Sequence, residues 1–188
     1  MASEREVWLV RHGETEWSRD RRHTSRTDVA LTKAGAHAAG QLAARLLRTP
    51  FELVLTSPRQ RARRTANLCG FGDAEVDEDL VEWDYGEYEG ITTAEIRTTV
   101  PGWTVWTHES PGGETAEQVA ERLDRVVARV RAVGGRSLVF GHGHALRALG
   151  ARWIGQPASA GRYLVFDTAQ ISVLGYDHDT PAILRWNC

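Results

Sequence analysis

Two histidines, each beside a glycine and just behind a short apolar run, are the residues of this chain best placed to do chemistry. In LVRHGETEW (residues 9–17) Arg11 and His12 follow the run VWLV; in FGHGHALRAL (140–149) His142 follows SLVF and is succeeded by Gly143 and His144. His12, His142 and His144 could be imagined as three zinc ligands. Arginine argues otherwise: Arg11 adjoins His12, and SPRQRARRTA (57–66) supplies Arg61 from a third strand-to-helix segment. Guanidinium groups repel a metal cation, but their planar fork pairs with the oxygens of a tetrahedral oxyanion. Two histidines with two arginines therefore describe a phosphoryl site better than a metal site. A neutral imidazole is a competent nucleophile for phosphorus, and neighbouring arginines oppose its protonation. The departing oxygen then needs an acid, and LVEWDYGEYEG (80–90) offers Glu82, Asp84, Glu87 and Glu89, most of which read as a solvated acidic loop.

The elements around these residues imply how they meet. VWLV (7–10), FELVLTS (51–57) and SLVF (137–140) read as buried strands. Between them lie helices over Leu31–Leu47 with Thr32 as N-cap, from Pro58 to about Leu68, over residues 114–133, and around Ala145–Ile154. This alternation predicts an α/β fold, three layers α/β/α around a mostly parallel mixed sheet. The carboxyl ends of parallel strands share one edge, so His12 and His142 are expected to converge there. Residues 73–113, acidic and rich in Trp and Gly, read as a loop-rich excursion over the active site with one short helix near Thr93–Thr99. Trp83, Tyr85, Trp103 and Trp106 either line the approach to the pocket or form the small core that holds the excursion down; His108 reads as a surface residue. QISVLGYD and PAILRWN close the chain as a strand pair, the former an edge strand open to dimer formation.

Composition narrows the function classes. With 188 residues, a net charge of −2 and 41% hydrophobic residues, the chain reads as one domain over 1–188. No apolar run approaches the roughly 20 residues that span a bilayer, and MASEREVW lacks a signal segment, so a cytoplasmic protein without membrane association is expected. Arginine clusters in RDRRHTSR (19–26) and RQRARR (59–64), but the near-neutral total and the lack of interleaved aromatics argue against nucleic acid. Cys69 and Cys188 follow no metal or redox spacing and read as plain thiols.

In order, LVRHGETEW, LTKAGAHAAGQL, SPRQRARRTA, LVEWDYGEYEG, PGGET and FGHGHALRAL resemble the signature of the histidine phosphatase superfamily, the phosphoglycerate-mutase-like enzymes. The resemblance implies a metal-independent and cofactor-free transfer in which His12 takes the phosphoryl group. Arg11 and Arg61 would bind phosphate, and His142, with Gly143 beside it, would complete the pocket and stabilise the transferring group, in protonated form. Glu82 falls on the proton-donor position. Ser18 stands where many relatives carry a phosphate-binding Asn, and RRHTSRTD (21–28) resembles a GRHTGxTD pattern that makes His23 and Thr24 substrate-side residues. The short chain and the absence of NERHYG favour a phosphatase over a mutase-type phosphotransferase, and the complete pocket disfavours an inactive interaction module. EWDYGxYEG resembles bacterial acid phosphatases and sedoheptulose bisphosphatase, implying small phosphomonoesters such as sugar phosphates. Reference values for Glu and His place the expected pH optimum on the acid side, between about 4.3 and about 6.5.

Overall fold

The computed structural model describes residues 5–188, so the start of MASEREVW, with the reading made of it, lies partly outside the described residues. Six strands, β1 (Val7–Arg11), β2 (Leu53–Thr56), β3 (Glu75–Val76), β4 (Ser137–Gly141), β5 (Ile171–Asp177) and β6 (Thr180–Arg185), form one sheet in the order β3-β2-β4-β1-β5-β6. The first four run parallel to one another, whereas β5 and β6 pair antiparallel. The fold is thus the expected mixed α/β sheet.

β1 lies in the middle because its side chains are apolar on both faces. Val7 and Leu9 enter one core together with Trp83, Val126, Leu146 and Trp153; Trp8 and Val10 enter the other together with Leu46, Ala66 and Phe140. Helices cover both faces: α1 (Glu16–Arg19), α2 (Lys33–Gln41), α3 (Ala43–Leu46), α4 (Gln60–Leu68), α5 (Thr93–Arg97), α6 (Ala116–Ala132) and α7 (Gly143–Trp153). Thr32 caps α2 as expected, its hydroxyl accepting from Gly35 N. The helix expected to run unbroken to Leu47 is interrupted at Leu42 and resumes as α3. Gly40, just before the break, has no side chain to favour helical backbone. α4 begins two residues after Pro58 and has no side-chain cap of its own; Asp28 Oδ1 instead accepts from Gln60 N at 2.9 Å. The 21–28 segment is thereby tied to α4.

Two expectations need correction. QISVLGYD is not an edge strand: β5 sits between β1 and β6, and the exposed edges are β3 and β6. The excursion is also more than loop, since its first residues extend the sheet as β3 and its aromatics are buried. Trp83 and Trp103 are each 1% exposed, and they join the core built on α6 and α7. Of the two readings of these aromatics, the core one holds for the tryptophans.

One contact fixes where the turn after β1 can go. A Cβ on Gly35 would lie 2.2 Å from the Glu14 carbonyl oxygen, and one on Gly13 2.4 Å from the Gly35 carbonyl oxygen, so α2 packs backbone to backbone against the turn that carries His12. Alanine normally stabilises a helix interior relative to glycine by up to about 1 kcal/mol. Gly40→Ala, with nothing within 4 Å of its Cβ, should gain about that amount, whereas Gly35→Ala should lose about 1–3 kcal/mol through overpacking. Urea midpoints of the two variants, expected to move in opposite directions, check this.

Candidate active site

Register alone brings the two histidines together. β1 and β4 pair Arg11 with Gly141, so the next residue on each strand, His12 and His142, leaves the sheet at the same height. Their rings are 5.2 Å apart between centroids, inclined by 64°. β2 pairs Thr56 with Phe140, which brings Ser57 alongside.

The two imidazoles are held in different tautomers. His12 Nδ1 lies 2.7 Å from the Gly13 carbonyl oxygen, which can only accept, so Nδ1 carries the proton and Nε2 keeps its lone pair. His142 is the reverse: Arg61 Nε donates to its Nδ1 at 3.2 Å, leaving the proton on Nε2, which donates to Ser57 Oγ at 2.7 Å. Burial, then Arg61, then Arg11 hold the His12 pKa well below the usual imidazole value. His142 is lowered likewise, by burial, then Arg61, then His12. The protonated role expected of His142 is therefore corrected: it is neutral, with both nitrogens engaged. A zinc triad of His12, His142 and His144 is not assembled, since His142 has no nitrogen to offer and among the described residues no three metal-ligating side chains cluster.

A cleft of about 460 Å³, in the range of small-molecule sites, opens above His12 and is lined by Arg11, Ser18, His23, Thr24, Glu82, Tyr85, Gly143, His144, Arg147 and Asp167 among others. Arg11 packs close to the start of α7: a Cβ on Gly143 would come 3.2 Å from its Cζ, tighter than an ordinary contact. Its Nη1 donates to the Phe166 carbonyl, and its buried Nε has no partner. An unpartnered buried donor at the wall of a cleft suits an anionic ligand. Glu82 reaches the start of α7: Oε1 accepts from Trp83 N and Ala145 N at 2.9 and 2.8 Å, and Oε2 from His144 N at 3.0 Å. Oε2 thus keeps a lone pair that these bonds do not use.

Arg61 is placed differently from expectation. It is 0% exposed and does not line the cleft. Nη1 donates to Thr27 O at 2.9 Å, and Nη2 to Thr24 O and Ser25 O at 3.2 Å each. These bonds and the one from Nε to His142 use four of its five N–H groups, so Arg61 orients His142 and the 24–27 backbone. Ser18 lines the cleft, yet its hydroxyl closes a capping box, donating to Thr15 O at 3.0 Å and accepting from Thr15 N. His23 is buried against Tyr85 and Trp103, its Nε2 3.2 Å from Thr93 Oγ1, and burial pulls its pKa to about 4. Thr24 lines the cleft while its hydroxyl donates to Arg22 O at 3.1 Å. Of the other carboxylates in the loop, Glu89 accepts from Ser25 N, Ser25 Oγ and Thr27 N, Asp84 from Gly86 N, and Glu87 is exposed. His108 is on the surface as expected.

Sequence reasoning passed over Arg147 and Asp167 as cleft residues, weighed His144 only as a zinc ligand, and left Tyr85 between lining the approach and forming core; all four line the cleft. The Tyr85 hydroxyl and His144 Nδ1 share a 2.6 Å hydrogen bond, and burial, ahead of Arg147, keeps His144 well below its usual pKa. The GHGH spacing was the available signal: two residues along a helix start, His144 turns to the other side of the glycine that bears Arg11.

The chain matches the family model described as histidine phosphatase superfamily (branch 1) over residues 7–188. An acid phosphatase of Mycobacterium tuberculosis is 45% identical over 176 residues, covering 90% of this chain and 86% of that one. Sedoheptulose 1,7-bisphosphatase of Saccharomyces cerevisiae is 36% identical over 180 residues, covering 78% and 66%. The solved structure of a Mycobacterium tuberculosis open reading frame product superimposes with a TM-score of 0.93 at 39% identity, covering 97% and 96%.

Four depressed histidines set a pH dependence. The unfolded chain takes up protons near pH 6.5 that the fold refuses, so stability is fully present above that value and falls as pH drops below it. Each refused proton is worth about 1.4 kcal/mol per pH unit. With His12, His23, His142 and His144 all lowered, calorimetric Tm should drop steeply between about pH 6.5 and pH 5; a flat Tm across that window would show that the imidazoles are not held neutral.

Proposed function

The chain belongs to the histidine phosphatase superfamily (branch 1) and is a phosphomonoester hydrolase; on that premise we propose that it works through a phosphohistidine on His12, on small phosphorylated metabolites such as sugar phosphates. The observation that carries this reading is the His12 tautomer: with Nδ1–H held by Gly13 O, Nε2 keeps its lone pair on a neutral ring, and Arg11, adjacent in sequence, has a buried Nε with no partner among the described residues.

In the first half-reaction His12 Nε2 forms the P–N bond as the ester P–O bond breaks in line. Arg11 neutralises charge on the equatorial oxygens, and Glu82 protonates the departing oxygen from its unused Oε2 lone-pair position. The alcohol leaves. In the second half-reaction water attacks the phosphohistidine, Glu82 takes its proton, and the P–N bond breaks to release inorganic phosphate and restore the His12 lone pair. His142 and Arg61 hold the floor of the site: Arg61 keeps a positive charge beneath the transferring group, and His142 excludes a second protonation site beside the nucleophile. Ser18, His23 and Thr24 shape the wall against which the substrate rests.

Two relatives support the substrate class: one is an acid phosphatase, the other a sedoheptulose 1,7-bisphosphatase. Among the described residues no helix is long and apolar enough to cross a membrane. The two free cysteines, Cys69 buried, fit a reducing, cytoplasmic compartment.

Phosphate release from a panel of sugar mono- and bisphosphates should persist in excess EDTA. His12→Ala should lower kcat by at least about 10³-fold, as loss of a nucleophile does; wild-type-like turnover in that variant would sink the phosphohistidine route. Because His12 stays neutral below its ordinary pKa, the acid limb of kcat/KM should fall well below pH 6.5, read from initial rates between pH 4 and 8.

A further inference from the structure

Arg21 breaks a conformational rule at the mouth of the cleft. It follows α1 directly after the C-cap Asp20, with a φ of 58°, in the left-handed region that glycine enters without strain and a long side chain does not. The chain therefore accepts local strain to keep an arginine there, and the fold makes no use of it: among the described residues no hydrogen bond or ion pair engages its guanidinium, which is exposed at the cleft. Strain held at a ligand site points to function in the ligand rather than in the fold.

Arg21 is not alone. Arg22 lines the same cleft and gives one N–H to Gly90 O at 2.8 Å, leaving the rest of its fork free. Arg147, from α7, is fixed by Gly161 O at 3.1 Å and lies over the Trp106 ring at 4.7 Å. Against Arg11 and these three stand two lining carboxylates. Glu82 is tied to backbone N–H groups, and Asp167 accepts from Asn187 Nδ2 at 2.9 Å. In a chain whose net charge is −2, this cleft is a concentrated positive site, with more cation than one phosphoryl group at His12 requires.

We propose that Arg21, assisted by Arg22 and Arg147, forms a second oxyanion subsite at the cleft mouth that binds a phosphoryl or carboxylate group carried elsewhere on the substrate. The preferred substrates then bear two anionic groups, one cleaved at His12 and one held at the rim. This rests on the phosphatase reading above and specifies its substrate class. Arg11 and Glu82 handle the reacting group; Arg21 sets specificity.

The test is Arg21→Gly, which relieves the strained backbone and so folds at least as well as the parent. KM for fructose 1,6-bisphosphate and for p-nitrophenyl phosphate is measured in both proteins. The ratio of bisphosphate KM to p-nitrophenyl phosphate KM should rise about tenfold, the loss of one charge-assisted contact, and Arg21→Lys should restore part of it. Titration calorimetry of fructose 1,6-bisphosphate into His12→Asn and into the double variant should show the same weakening. An unchanged ratio with unchanged calorimetric affinity would overturn the subsite. If the parent hydrolysed neither ester, the phosphatase reading would fail while calorimetry still decided the subsite.

Discussion

The pairing of Arg11 with Gly141 across β1 and β4 is the constraint on which the site depends. A shift of one residue would turn alternate side chains to the other face and separate the two histidines. The register is held because both faces of β1 are buried, so neither Val7 and Leu9 nor Trp8 and Val10 can exchange sides. Core packing and active-site geometry are thus one requirement, and the backbone contact between Gly13 and Gly35 extends it to the turn after the strand.

From that placement the electrostatics follow. Two imidazoles and a guanidinium are taken out of water together. The cost of burying Arg61 is offset by the carbonyls of Thr24, Ser25 and Thr27 and by His142 Nδ1. Its charge then acts through a poorly screened interior on both histidines. Burial keeps His12 neutral, and Arg61 and Arg11 reinforce it. Glu89 does corresponding work at the wall, collecting Ser25 and Thr27 so that the segment bearing His23 and Thr24 is held to the central excursion.

Much of this was legible in the sequence because it depended on local pattern. Apolar runs ending in Arg-His-Gly and Gly-His-Gly marked parallel strands with their carboxyl ends at one site, and Thr32 announced its helix. What sequence could not supply was direction and depth. Nothing in SPRQRARRTA says that Arg61 turns beneath the site, because its partners are backbone carbonyls, which every residue has. The protonation of His142 was misjudged for the same reason: its charge depends on an Arg61 donor that only the fold aims at Nδ1. β3 escaped notice as a two-residue strand without periodicity, and β5 was taken for an edge because a strand's neighbours are set by crossovers that local pattern does not encode.

The central position of β1 also has a consequence in time. Of the six strands β1 comes earliest in the chain, yet it finds its neighbours only among residues 137–141 and 171–174. Contacts of such long sequence separation close late and slowly. The nascent chain therefore carries His12, solvated and without its partner, until β4 and β5 have been made. A fragment released before β4 lacks the sheet register that sets His12 beside His142.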